Sequence, residues 1–135
     1  MLRHLKELEG FEVSPAVVQN EYHPLFDNSD VLEYCKTNGI QFQGYSPFGQ
    51  GALFKNEKIA EICKKHGVKV SHALILYNLL NGVAVIPMTK TVERVIDNFE
   101  LPILSEAKCT GLMIDLKNCD TEKNTKFAWN PDTIF

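Results

Sequence analysis

Four apolar residues in a row, Val83-Ala84-Val85-Ile86, lie between two stretches of helical periodicity. A strand with no polar residue reads as one buried on both faces, the habit of a parallel strand covered by helices. Parallel neighbours must be joined by crossovers, usually helical, so this one segment draws the chain into an α/β architecture. Two further strands fit. After Pro15, the run Ala16-Val17-Val18-Gln19 reads as a short buried strand, and Ile40-Gln41-Phe42-Gln43-Gly44-Tyr45 alternates in polarity.

Helical stretches lie between and after these strands. Asp30-Val31-Leu32-Glu33 has the form of a capping box; Val31, Leu32 and Cys35 supply an apolar face, and Gly39 is placed to end it. Asn56 is expected to cap a helix carrying Ile59, Ile62 and Cys63 and closed at Gly67. Ser71 is expected to cap the next, Ala73 to Leu80, closed at Gly82. Thr91 starts a helix through Val95, Ile96 and Phe99, and Ser105 a last one near Leu112 and Met113. At the other end, Leu2, Leu5 and Leu8 recur every three residues, as on an amphipathic helix. The order is strand, helix, strand, helix, helix, strand, helix. About three short parallel strands leave two open edges and a sheet too narrow for its helices, so the layer reads as incomplete.

Composition limits the partners. The 135 residues carry a net charge of -3, which argues against nucleic acid or an anionic membrane surface, since both select a basic face. No apolar run approaches the roughly 18–20 residues of a membrane span. The stretch Met1-Leu2-Arg3-His4-Leu5-Lys6-Glu7 has neither the apolar core of a signal peptide nor the acid-poor character of a transit peptide, so a cytoplasmic location is expected. Cys35, Cys63, Cys109 and Cys119 form no CxxC pair and read as reduced structural thiols. The four histidines show no metal-ligand spacing, so no metal site is expected.

Polar residues and glycines gather after each strand: Gln19-Asn20-Glu21-Tyr22-His23-Pro24, then Tyr45-Ser46-Pro47-Phe48-Gly49-Gln50-Gly51, then Pro87-Met88-Thr89-Lys90-Thr91. Ligands of parallel α/β proteins bind at the C-terminal ends of strands, so the three segments would share one rim. Glycines that admit a pyrophosphate, with hydroxyls and helix N-termini to bond its oxygens, are what a nucleotide cofactor needs.

In order and spacing these segments resemble the aldo-keto reductase family, from about His4 to Leu112. The resemblance rests on Pro15-Ala16-Val17-Val18-Gln19-Asn20-Glu21-Tyr22-His23-Pro24, on Gly44-Tyr45-Ser46-Pro47-Phe48-Gly49, and on the run from Ile86-Pro87-Met88-Thr89-Lys90-Thr91 to Asn98-Phe99. It implies a partial (β/α)8 TIM barrel: about the last three strands with their helices over residues 1–114, and a C-terminal tail over 115–135. It also implies NADPH as cofactor and a small carbonyl compound, an aldehyde or ketone, as substrate once the barrel is completed. Under the resemblance Gln19 would bond the nicotinamide carboxamide and Tyr45 would lie against the ring. Ser46, Pro47, Phe48, Gly49 and Gln50 would strap the pyrophosphate. Thr89 and Arg94 would hold the 2′-phosphate, and Asp97 and Asn98 would contact the adenine.

The chain departs from the family in two ways. Met88 stands where the family typically has a lysine; Lys90, two residues on, would point to the same side and take its place. The family's tyrosine acid, its lysine, aspartate and histidine partners, and the Ser-Asn pair at the nicotinamide have no counterparts here. No catalytic residue is therefore expected. The leading expectation is a truncated reductase without activity alone. The alternatives are a non-catalytic nucleotide- or protein-binding remnant, and one part of a two-chain reductase.

Blander readings stand beside the functional ones. Tyr45 as a proton donor lacks a neighbour to lower its pKa, so stacking or packing is preferred. Glu21 and His23, two apart at a strand end, form either an acid–base pair or a structural hydrogen-bonded pair, the latter preferred. Arg94 is a phosphate ligand or a solvated charge. Phe127 and Trp129 either shape a substrate pocket or belong to a loose tail. Open strand edges also make self-association an expectation.

Overall fold

Three strands and five α-helices alternate in the computed structural model, which describes Val13, residues 15–119 and residues 125–128. β1 (Val17–Glu21), β2 (Gln41–Tyr45) and β3 (Ala84–Ile86) form a parallel sheet in the order β1-β2-β3. The register runs from Val17 beside Gln41 to Glu21 beside Tyr45, and from Gln43 beside Ala84 to Tyr45 beside Ile86. Helix α1 (Ser29–Thr37) joins β1 to β2, while α2 (Glu57–His66) and α3 (Val70–Leu80) join β2 to β3. Helices α4 (Val92–Phe99) and α5 (Glu106–Lys117) follow. This is the α/β alternation the sequence implies. The leucine-bearing stretch from Leu2 to Leu8 lies outside the described residues.

Alternation along the strands separates two faces. Val18, Asn20, Phe42 and Gly44 are buried, whereas Val17, Gln19 and Gln41 are exposed and Gln43 and Tyr45 half-buried. Among the described residues the helices thus cover one face of the sheet. Val18, Phe42 and Val83 meet Ile59 and Cys63 of α2, Leu74 and Tyr77 of α3, and Leu112 and Leu116 of α5 in one core. The Tyr22 ring stacks on Tyr77 at 5.6 Å and meets Phe42 edge-on at 5.5 Å.

β3 departs from the expectation of burial on both faces. Ala84 and Val85 are half-buried and Ile86 is 42% exposed. Helix α3 packs against β3, whose only strand partner among the described residues is β2, so the strand's apolar composition exceeds the cover it receives. Helix α4 shares this condition. None of its residues is buried, and Val92, Val95, Ile96 and Phe99 form an exposed stripe at helical spacing.

Helix boundaries follow local chemistry. The Asn56 side chain accepts from the Ile59 amide at 3.0 Å and Gly67, at φ 65°, closes α2 as expected. Ser105 accepts from the Lys108 amide at 3.4 Å. Three expectations change. Helix α1 begins at Ser29 behind a left-handed Asn28 (φ 44°), so Asp30 lies in the first turn, where its charge suits the helix dipole, and forms no capping box. The turn that ends α2 passes almost directly into α3: the Val68 amide bonds back to the Cys63 carbonyl at 3.0 Å, and Lys69 is already the extended N-cap. Ser71 therefore sits inside the first turn of α3 rather than capping it. Helix α5 runs on to Lys117, so Asp115, expected in the tail, lies on the helix and bonds Lys65 at 2.8 Å and His66 at 2.7 Å.

Gly44 fixes how near α3 can come to β2. A Cβ there would lie 2.5 Å from Asn78 Oδ1, 3.0 Å from Val83 Cγ1 and 3.1 Å from Tyr22 Cβ. Asn78 cannot easily give way, because its amide group also donates to the Leu74 carbonyl at 2.9 Å. Gly44→Ala is expected to cost on the order of 1–3 kcal/mol through overpacking. Urea unfolding would show it as a lower midpoint; an unchanged midpoint would mean that α3 does not pack this closely.

Candidate functional site

The chain leaves β2 through an unusual run of backbone. Ser46, Gly49, Gln50 and Gly51 all have positive φ, at 47°, 53°, 53° and 92°. Left-handed residues other than glycine each cost of order 1 kcal/mol or more and cluster at ligand sites. The turn is tied by Gly49 N to the Ser46 carbonyl and Gly51 N to the Phe48 carbonyl, both at 2.9 Å. Phe48 packs against Phe54 with ring centroids 5.2 Å apart. One strand away, β3 opens into Pro87-Met88-Thr89-Lys90, where Thr89 Oγ1 accepts from the Thr91 amide at 3.3 Å.

Between this strap and the β3–α4 corner lies a cleft of about 890 Å³, a size that suits a cofactor. Of the residues singled out in the sequence, Tyr45, Ser46, Pro47, Phe48, Gln50, Thr89, Lys90, Arg94, Asp97 and Asn98 line it. Gly51, Phe54, Ser71, Ile86 and Met88 line it as well. Ser71 was legible only as a cap, because it is the packing of α3 against α4 that brings it to the cleft. Two singled-out residues lie elsewhere. Gln19 is exposed on the open face of the sheet, donating to the Gln43 side chain across the β1–β2 pair. Gly49 lies within the strap but is buried and does not line the cleft.

The charges in the cleft fall into two kinds. Asp97 is committed: it pairs with Lys69, and His72 Nε2 lies 2.9 Å from its carbonyl and 3.4 Å from its carboxylate. The Lys69 hydrogen bond is the main cause of a carboxyl pKa below the ordinary aspartate value. Lys90 and Arg94 are exposed and pair with no carboxylate among the described residues. A cleft with two free cations and a left-handed strap is a fit for a phosphate-bearing ligand. Met88, 79% exposed on its rim, adds no charge. Tyr45 is pushed up in pKa, first by burial and then by the Glu21 charge, the wrong direction for a proton donor and in keeping with a packing ring.

Glu21 and His23 form the structural pair. His23 Nε2 donates to Glu21 Oε1 at 3.1 Å, and both side chains are wholly buried, out of reach of a substrate. The reason lies far along the chain. Glu21 Oε1 also accepts from the Phe127 amide at 2.9 Å, and Ala128 N lies 3.2 Å and 3.0 Å from the two carboxylate oxygens. Residues 125–128 are therefore docked on the end of β1. Trp129 lies outside the described residues.

The sequence matches the Aldo/keto reductase family over residues 2–106. It is 36% identical to glyoxal reductase of Bacillus subtilis over 134 residues, covering 98% of this chain and 47% of that protein. The structure is similar to that of an aldo-keto reductase from a Medee basin deep-sea metagenome library, with a TM-score of 0.76, 31% identity, and coverage of 93% of this chain and 48% of the other. It is similar also to the aldo-keto reductase of the silkworm, Bombyx mori, complexed with NADPH, with a TM-score of 0.77, 25% identity, and coverage of 95% and 42%. The chain spans about half the length of the curated relatives it matches.

Docking of residues 125–128 is expected to depend on pH. Burial raises the Glu21 pKa, but the hydrogen bonds from His23, Phe127 and Ala128 together outweigh it and leave the pKa below the ordinary glutamate value. A carboxyl depressed on folding contributes stability above its unfolded pKa and loses it as pH falls through the folded one. The Phe127 and Ala128 amide resonances should thus stay fixed from neutral pH down to the ordinary carboxylate range and shift together below it. A shift centred near neutral pH would mean that Glu21 does not hold them.

Proposed function

The chain belongs to the aldo/keto reductase family, and we propose that it is the cofactor-holding C-terminal part of a (β/α)8 carbonyl reductase that uses NADPH. What supports this reading above all is the cleft, where strap and β3–α4 corner meet around Lys90 and Arg94, which pair with no carboxylate among the described residues. The strap Ser46 to Gln50, with Gly49 its buried member, covers the pyrophosphate. Tyr45 offers its ring to the nicotinamide, and Gln19 reaches the carboxamide after releasing Gln43. Thr89 and Arg94 hold the 2′-phosphate, and Lys90 supplies the charge that Met88 lacks. Asn98 faces the adenine beside Asp97, whose carboxylate stays with Lys69. When bound, the nicotinamide supplies the hydride. The family's proton donor and its partners have no counterparts in these 135 residues, so turnover of an aldehyde or ketone belongs to the completed barrel. The silkworm protein's NADPH complex favours the phosphorylated cofactor. A cytoplasmic location forms part of the reading; no helix among the described residues is long and apolar enough to cross a membrane.

A second reading has its own observation. The stripe Val92, Val95, Ile96 and Phe99, together with the exposed Val17 and Ile86 of the sheet, leaves apolar surface uncovered among the described residues, and such surface drives association. On this reading the 135-residue chain alone is a self-associated, nucleotide-binding remnant. Light scattering is expected to find species larger than a monomer; a monodisperse monomer with a sharp, reversible thermal transition would remove it.

For the main reading the measurement is calorimetry with both cofactors. Arg94→Ala should weaken NADPH by about ten- to a hundredfold, as expected for charge-assisted hydrogen bonds, and leave NADH nearly unchanged, because only NADPH carries the 2′-phosphate. Equal losses for the two cofactors would take Arg94 out of that role.

A further inference from the structure

The docked C-terminal segment touches more than Glu21. A Cβ built on Gly49 would lie 2.7 Å from Phe127 Cδ2 and 3.1 Å from Cε2, so the Phe127 ring rests directly on the strap backbone. The same ring lies 5.4 Å from that of His23. Around it the segment is fastened at two more places: Thr125 N bonds the Leu25 carbonyl at 3.0 Å, and the Lys126 ammonium lies 5.8 Å from the centre of the Phe26 ring. The strap needs such support. Left-handed Ser46 and Gln50 persist only where their surroundings over-determine them, and Gly49 is the buried point between them.

We propose that Glu21 is a positioning residue for the cofactor strap, acting through Phe127. The buried carboxylate holds the amides of Phe127 and Ala128; those bonds set the ring on Gly49; and the ring holds residues 46–51 in the conformation that lines the cleft. Each link has a separate physical basis. The first is a charge-assisted bond to backbone N–H groups inside a buried site, where a carboxylate satisfied by several donors is firmly held. The second is close packing that no residue but glycine at position 49 permits. Docking of the segment and occupation of the cleft are then linked, and each favours the other by the same factor. The inference rests on the reading of Ser46 to Gln50 as the pyrophosphate strap.

The test compares amide hydrogen exchange and NADPH titration in the unsubstituted chain, in Glu21→Gln and in Phe127→Ala. Glu21→Gln keeps the size of the side chain but removes its charge and turns an NH2 group toward donors. Exchange at positions 127 and 128 should quicken about tenfold or more, and Gly49 and Gly51 should follow. Phe127→Ala touches no strand and leaves both carboxylate bonds in place. Positions 127 and 128 should then stay protected while Gly49 and Gly51 lose protection, and Phe127→Leu should restore part of it. Unchanged Gly49 and Gly51 in Phe127→Ala would overturn the proposal, even if Glu21→Gln proves unable to fold. Binding separates this inference from the one beneath it. Phe127→Ala should weaken NADPH and NADH alike, because the pyrophosphate is common to both, and a loss confined to NADPH would overturn the link to the strap. Intact coupling in exchange, together with no NADPH binding by the unsubstituted chain, would sink the cofactor reading and leave the clamp standing.

Discussion

The close approach of α3 to β2 at Gly44 sets the distances on which the cleft depends. With no side chain at that point, Asn78 and Val83 come up against the strand backbone, and the Tyr77 ring stacks on Tyr22 just beyond β1. α3 is thereby seated across the helix-covered face, and its N-terminal turn comes out beside α4, which places Ser71 in the cleft and brings Lys69 and His72 to Asp97. A bulkier residue at position 44 would move the whole helix and every one of those contacts with it. The cost would appear first as lost packing and only then as lost binding.

Charge is handled in opposite ways at the two ends of the site. Glu21 is wholly buried, and its carboxylate is satisfied by an imidazole and two backbone amides. A buried charge without such partners would be strongly destabilising, so its donors have to be present whenever the fold is. Lys90 and Arg94 stand at the surface without carboxylates among the described residues, and a surface cation carries almost no penalty for waiting. A charge buried in the fold and a charge left at the surface differ in this respect. The first must be answered within the chain, and the second is free to be answered by a ligand.

Most of the architecture was legible because it rests on local signals. Asn56 and Gly67 bound α2, and the two periodicities, alternating in Ile40 to Tyr45 and helical in Val95, Ile96 and Phe99, named the elements correctly. Errors arose where a neighbour in space decides. Ser71 resembles a cap in sequence but follows a turn so short that the helix has already begun. The all-apolar β3 speaks for two covered faces, yet among the described residues Ala84 and Val85 are only half-buried and Ile86 is exposed. Most of the residues that line the cleft had been singled out through the resemblance, but Phe54 and Ser71 had not, and Gln19 and Gly49 lie elsewhere. What no local pattern announced was Phe127, 106 residues from Glu21 in the chain and in hydrogen-bond contact with it. Its significance lies in the missing side chain of Gly49, which a sequence displays only as flexibility.

The position of Arg94 raises a further physical question, since α4 buries none of its residues. A helix of eight residues held by no core contact is marginal by itself. Its residues divide by face: Val92, Val95, Ile96 and Phe99 point to solvent, while Arg94, Asp97 and Asn98 line the cleft. The contacts that hold it against α3 are polar ones, from Lys69 and His72 to Asp97. In the chain as described, the orientation of Arg94 in the cleft therefore depends on an exposed ion pair and one hydrogen bond to a backbone carbonyl. Salt screens such a pair and thermal motion opens it. Cover on the apolar stripe would change this, because burying Val95, Ile96 and Phe99 would fix the helix through hydrophobic contact and leave Asp97 with a smaller share of the task. The apolar stripe left exposed among the described residues and the arginine that lines the cleft are thus carried by the same two turns of helix, so cover on the one would steady the other.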